Sequence, residues 1–102
     1  LTQKGFLEKV RKTGVYFKSQ LQELAARFPV VGNVRGMGLM LAMELKQPAD
    51  EVVNACMRGG FLINSVQQNT LRFIPPLIIT KVEIDKLIRV LSISLKKLNP
   101  VS

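Results

Sequence analysis

Asn64-Ser65-Val66-Gln67-Gln68-Asn69-Thr70-Leu71-Arg72-Phe73-Ile74-Pro75-Pro76-Leu77 reads as a short strand, a polar turn, a returning strand and a double-proline stop. Side chains alternate faces along a strand, so Leu71 and Phe73 point one way and Arg72 the other. A guanidinium inside an apolar strand is costly unless it meets water or an anion. Its planar fork of donors suits a carboxylate or a phosphate. Arg72 is therefore the first candidate binding residue. The double proline cannot join a central ladder and ends the strand.

Working outward, Phe6, Val10, Phe17, Leu21, Leu24 and Phe28 recur at steps of three, four and seven. That spacing predicts an amphipathic helix over 6–28, closed by Pro29. Gly14 interrupts the pattern and marks an expected weak point or bend. Val31-Gly32-Asn33-Val34-Arg35 and Leu39 to Leu45 then read as a hairpin about Gly36-Met37-Gly38. Its second strand puts Leu39, Leu41, Met43 and Leu45 on one face and Met40, Ala42 and Glu44 on the other. Only Glu44 is charged there, which suggests cover on both faces.

A short helix with Val52, Val53, Cys56 and Met57 follows Gln47-Pro48-Ala49-Asp50 and stops at Gly59-Gly60. Thr80-Lys81-Val82-Glu83 matches a capping box. Behind it Ile84, Leu87, Ile88, Leu91, Leu95 and Leu98 predict a last helix ending near Asn99-Pro100. The predicted fold class is α+β in the order α-β-β-α-β-β-α, a mainly antiparallel four-stranded sheet with helices on one face. If the helices take one face, that of Arg72 is left bare while carrying apolar atoms such as those of Ile74. Such a face looks like one wall of a site whose other walls lie elsewhere.

The 102 residues suit one domain, and 47% hydrophobic with 22% charged residues is a globular composition. No apolar run approaches the ~20 residues that span a bilayer, so no membrane segment is expected. The opening Leu1-Thr2-Gln3-Lys4 lacks an initiator Met and a signal pattern, as expected of a piece of a longer protein. A single cysteine, Cys56, fits a reducing compartment, hence a cytoplasmic location. With no histidine to activate it, Cys56 reads as a packed helix residue.

The net charge of +8 invites a nucleic-acid reading. However, Lys4, Lys9, Arg11, Lys12, Lys18 and Arg27 spread along the first helix, and Lys81, Lys86, Arg89, Lys96 and Lys97 along the last. Without a stacking platform between them they read as solvated faces, so no nucleic-acid partner is expected. The four methionines read as packing filler.

Val34-Arg35-Gly36-Met37-Gly38-Leu39 together with Leu71-Arg72-Phe73-Ile74-Pro75-Pro76-Leu77 resembles the C-terminal part of class III pyridoxal-phosphate aminotransferases, most closely their acetylornithine branch. The resemblance covers essentially the whole chain. It implies one domain over 1–102, the small C-terminal domain of a homodimeric enzyme that moves an amino group from a donor to 2-oxoglutarate. Pyridoxal 5'-phosphate, its lysine and its phosphate loop would then belong to a large domain outside this chain, and the chain alone would be inactive.

In the family the arginine at the Arg72 position binds a substrate carboxylate, which agrees with the chemistry read from the strand. Asn64 and Ser65 are candidate near-site residues, with a turn role as the alternative. Arg35 matches the family hairpin as a structural residue. No catalytic, cofactor-binding or metal-ligating residue is expected within the chain. Ornithine, succinylornithine and 4-aminobutyrate enzymes share these motifs, so they remain alternative donor classes. A free-standing α+β module for an acidic partner is the reading from a different class.

Overall fold

A computed structural model of the chain describes residues 3–61, 63–75 and 78–98. Helix α1 runs Gln3–Arg27, strands β1 and β2 Val31–Met37 and Met40–Leu45, and helix α2 Asp50–Arg58. Strands β3 and β4 follow at Ile63–Val66 and Thr70–Phe73, and helix α3 at Lys81–Lys97. The order is the one expected from the changes of period. Pro76, Leu77, Asn99 and Pro100, expected to end β4 and α3, lie outside the described residues.

The four strands form one antiparallel sheet in the order β1-β2-β4-β3. Leu41, Met43 and Leu45 of β2, Leu71 and Phe73 of β4 and Ile63 of β3 are buried in a single core. Phe17, Leu21 and Leu24 of α1, Val52 and Cys56 of α2, and Ile84, Leu87, Leu91 and Leu95 of α3 complete it. Each fully buried Leu or Phe adds roughly 1.5–3 kcal/mol by leaving water. Phe17 and Phe73 meet edge to face with ring centroids 5.4 Å apart, the geometry that the ring quadrupoles favour.

Between Val31 and Asn33 the β1–β2 register slips at Gly32. The bulge changes which residues face the core: Val31 pairs with Leu45 and is buried, while Asn33 pairs with Glu44.

Gly14 does not interrupt the helix. Helix α1 is continuous from Gln3 to Arg27, and Gly14 is where it lies against the β1–β2 turn. A Cβ built there would sit 2.5 Å from the carbonyl oxygen of Gly38. The missing side chain permits close approach of helix and hairpin, and that is its role in the sequence. Lys18, one turn further on, donates its Nζ to the Gly36 carbonyl oxygen at 2.9 Å. Tyr16 donates its hydroxyl to Asp85 and ties α1 to α3.

The methionines do not share one role. Met43 is fully buried, whereas Met40 and Met57 are 75% and 57% exposed, so only Met43 fills the core among those whose side chains are described. The expectation of packing filler fails for the other two because their positions face away from the helices or out from α2.

Both halves of the capping box are present. Glu83 N–H donates to Thr80 Oγ1 at 3.3 Å, and Thr80 N–H donates to Glu83 Oε1 at 3.2 Å. Thr80→Ala is expected to lower stability by about 1 kcal/mol, read as a shift in the denaturant midpoint at unchanged slope.

Cys56 is fully buried, and burial pushes its thiol up from 9.0 to about 11. The unfolded chain ionises this thiol at its ordinary value while the folded chain keeps it protonated. Stability from this group is therefore complete below pH 9 and lost as pH rises from about 9 to 11. Cys56→Ala is expected to remove that part of the alkaline loss, measured by denaturant unfolding at pH 8 and pH 10.5. Among the described residues no helix is long and apolar enough to cross a membrane.

Candidate functional site

Strand β4 sorts its side chains by alternation. Leu71 and Phe73 are 0% and 2% exposed beneath the helices, and Arg72 emerges on the opposite, exposed face. The register places Arg72 opposite Ala42 of β2 on one side and opposite Asn64 of β3 on the other. Ala42 in turn pairs with Arg35 of β1. One row across the sheet therefore reads Arg35, Ala42, Arg72, Asn64. Cross-strand partners leave the same face, and the small Ala42 opens space between the two arginines.

The one carboxylate that the described strands carry is Glu44, and it is already engaged. Its Oε2 accepts from Arg35 Nη1 at 3.3 Å, with both side chains nearly half exposed. An ion pair so exposed contributes at most about 1 kcal/mol. It does fix Arg35 as a structural partner of β2, in agreement with the hairpin reading. The Arg72 side chain makes no hydrogen bond or ion pair within the described residues, and its guanidinium is open to whatever approaches the sheet.

Asn64 lies beside it with an unusual feature. Its Oδ1 is buried and accepts no hydrogen bond, the single such side-chain atom among the described residues. Ser65 does not join the group. It pairs with Leu71, so it belongs to the helix-side face and is exposed only because β3 is an edge strand.

Apolar atoms do share the open face, at Met40 and at Val66, which is 39% exposed. Ile74 is a different case. It lies one residue past the end of β4 and lines a cleft of about 420 Å³ with Phe17, Phe73, Ile79 and Leu87. That cleft is apolar apart from Glu83 and contains none of the candidate site residues. It offers packing space and no evident chemistry.

The hairpin that carries Arg72 is anchored at its turn. Gln67 and Gln68 adopt left-handed φ values of 56° and 70°. The Asn69 carbonyl oxygen accepts from Leu45 N–H at 2.8 Å, and Asn69 Nδ2 donates to the Leu45 carbonyl oxygen at 3.0 Å. The Gln68 carbonyl oxygen accepts from Ala49 N–H at 2.8 Å. These bonds set β4 against β2 and hold Arg72 in its row. The basic residues Lys9, Arg11, Lys12 and Arg27 of α1, and Lys81, Lys86, Arg89, Lys96 and Lys97 of α3, are all exposed on other surfaces.

An antiparallel sheet clad on one side, with an unspent arginine on the other, is a lobe that presents a charged wall. Solved structures that resemble this fold include amino-group transferases. The lysine aminotransferase of Mycobacterium tuberculosis superposes with a TM-score of 0.82 at 34% identity, over 91% of this chain and 22% of that one.

A family model for class-III aminotransferases matches residues 1–95, and the chain belongs to that family. Among curated relatives, the acetylornithine aminotransferase of Caldanaerobacter subterraneus is 46% identical over 92 residues, 89% of this chain and 23% of the relative. That of Aquifex aeolicus is 45% identical over 85 residues, 83% of this chain and 21% of the relative. The chain thus spans less than a quarter of the length of these relatives.

Proposed function

We propose that this chain is the small C-terminal domain of a pyridoxal-phosphate-dependent aminotransferase, in which Arg72 grips a carboxylate of the substrate. The observation that carries the reading is an exposed guanidinium without a protein partner among the described residues, within a structured strand, in a chain of this family. Two parallel N–H bonds to a carboxylate orient as well as attract. The contribution of Arg72 is to place the substrate, not to move a proton.

The amino-transfer chemistry is that of pyridoxal phosphate, whose aldehyde takes up the donor amine and whose ring delocalises the charge that develops. In this reading its seat belongs to the large domain outside this chain. Lys18 is the one lysine, among those whose side chains are described, that is not exposed, and it is spent on the Gly36 carbonyl oxygen. No step is therefore assigned to this chain beyond binding and orientation, and the chain alone is expected to be inactive.

For the parent protein we favour acetylornithine as donor and 2-oxoglutarate as acceptor, giving N-acetylglutamate semialdehyde and glutamate, a step of arginine biosynthesis. The names of the two curated relatives support that choice. The parent is read as a cytoplasmic homodimer whose large domain faces the Arg72 wall.

The test is turnover by the full-length protein of acetylornithine, ornithine, succinylornithine, lysine and 4-aminobutyrate with 2-oxoglutarate. Glutamate formation fastest from acetylornithine is the expected result. A faster alternative donor would correct the substrate, and no transamination from any of them would overturn the reading.

A further inference from the structure

We propose that Asn64 aims Arg72: its carboxamide oxygen accepts one guanidinium N–H and holds the arginine in the orientation that meets the substrate carboxylate. The proposal rests on the reading of Arg72 as the carboxylate clamp and adds to it the residue that fixes the clamp.

Three observations converge. Asn64 and Arg72 are direct partners in the β3–β4 register, so their side chains leave the same face as neighbours. Asn64 Oδ1 is shut away from water and accepts nothing, a costly state for an acceptor unless the working protein supplies a donor. Arg72 has five N–H groups and gives none to a described protein acceptor.

The donor count is sufficient for both tasks. A carboxylate takes two N–H groups along one edge of the guanidinium, and the others remain free for Asn64. No other side chain in the row competes as donor. Ala42 has no polar group, and Arg35 stands two strands beyond Arg72 and is paired with Glu44. An unanchored arginine on a long stem samples many rotamers, and ordering it on substrate binding weakens affinity. One bond to Oδ1 removes much of that freedom beforehand. Asn64 is thus a positioning residue, acting on substrate through Arg72.

The experiment uses the full-length enzyme and measures KM and kcat for Asn64→Ala, Asn64→Asp, Arg72→Ala and the double Asn64→Ala/Arg72→Ala. Asn64→Ala is expected to raise KM for the carboxylate substrate by about tenfold, the lower range for a hydrogen bond to a charged group, with kcat changed far less. Asn64→Asp keeps the shape but sets a negative charge against the guanidinium, and is expected to raise KM further by competing with the substrate. In the Arg72→Ala background, Asn64→Ala is expected to add nothing.

An equal additional loss in that background would show Asn64 acting independently and overturn the proposal. So would an unchanged KM in Asn64→Ala while Arg72→Ala raises it, which leaves the clamp standing. If Arg72→Ala itself leaves KM unchanged, clamp and proposal fall together. Should Asn64→Ala fail to fold, the near-isosteric Asn64→Asp carries the test. A KM no higher than that of the unsubstituted enzyme then counts against the proposal.

Discussion

Arg72→Ala in the full-length protein is expected to raise KM for the carboxylate-bearing substrate by about 10²–10⁴-fold. Two charge-assisted hydrogen bonds are lost together, at roughly 1.5–3 kcal/mol each, and each 1.4 kcal/mol is a factor of ten. Fold stability is expected to change by no more than about 1 kcal/mol, because the side chain is exposed and the one protein acceptor proposed for it is the Asn64 carboxamide oxygen. That separation is what distinguishes a binding residue from a structural one.

Arg72→Lys keeps the charge but not the fork, and is expected to recover only part of the loss. Steady-state kinetics alongside thermal unfolding check all three statements. A large loss of stability with unchanged KM would place Arg72 in the framework of the sheet.

Gly36→Ala is expected to be the most damaging single-methyl change in the hairpin. Gly36 has φ +122°, where residues with a Cβ are strained, and an added Cβ would lie 2.1 Å from the Met40 carbonyl oxygen. The atom in the way is backbone, so no side-chain rotation relieves it. Strain of about 1–2 kcal/mol and overpacking of about 1–3 kcal/mol add to roughly 2–5 kcal/mol. For a domain whose whole stability is about 5–15 kcal/mol, that is a large share.

The damage is expected to reach the site as well. Strand β2 pairs with β1 at Gly36↔Leu41 and with β4 at Ala42↔Arg72, adjacent positions on one strand. Denaturant unfolding of the variant gives the stability change, and a loss below about 1 kcal/mol would contradict the close contact described here.

How much of this was legible in the sequence differs from element to element. Helix and strand order followed from where a 3.6 period gave way to alternation, and Thr80-Lys81-Val82-Glu83 announced a cap that the fold uses in full. The direction of Arg72 followed from the same alternation, since its buried neighbours Leu71 and Phe73 leave it no choice of face.

Features that depend on contacts between distant segments were not legible. Gly14 looked like a helix defect because sequence shows a missing side chain but not the Gly38 carbonyl that needs the room. The slip at Gly32 cannot be read from one strand, because a bulge exists only relative to its partner. Continued past Phe73, the alternation puts Ile74 on the face of Arg72, but the strand stops at Phe73. Asn64 could be singled out as a polar residue near the strand, but its unmet Oδ1 is a property of the packed structure.

The central claim is that an exposed guanidinium on an uncovered sheet face exists to hold a substrate carboxylate. A crystal structure of the full-length protein with its amino donor or 2-oxo acid bound tests this most directly. The account predicts two Arg72 guanidinium nitrogens about 2.7–2.9 Å from the two oxygens of one substrate carboxylate. Arg72 paired instead with an aspartate or glutamate of the protein, with every substrate carboxylate held by other residues, would contradict it.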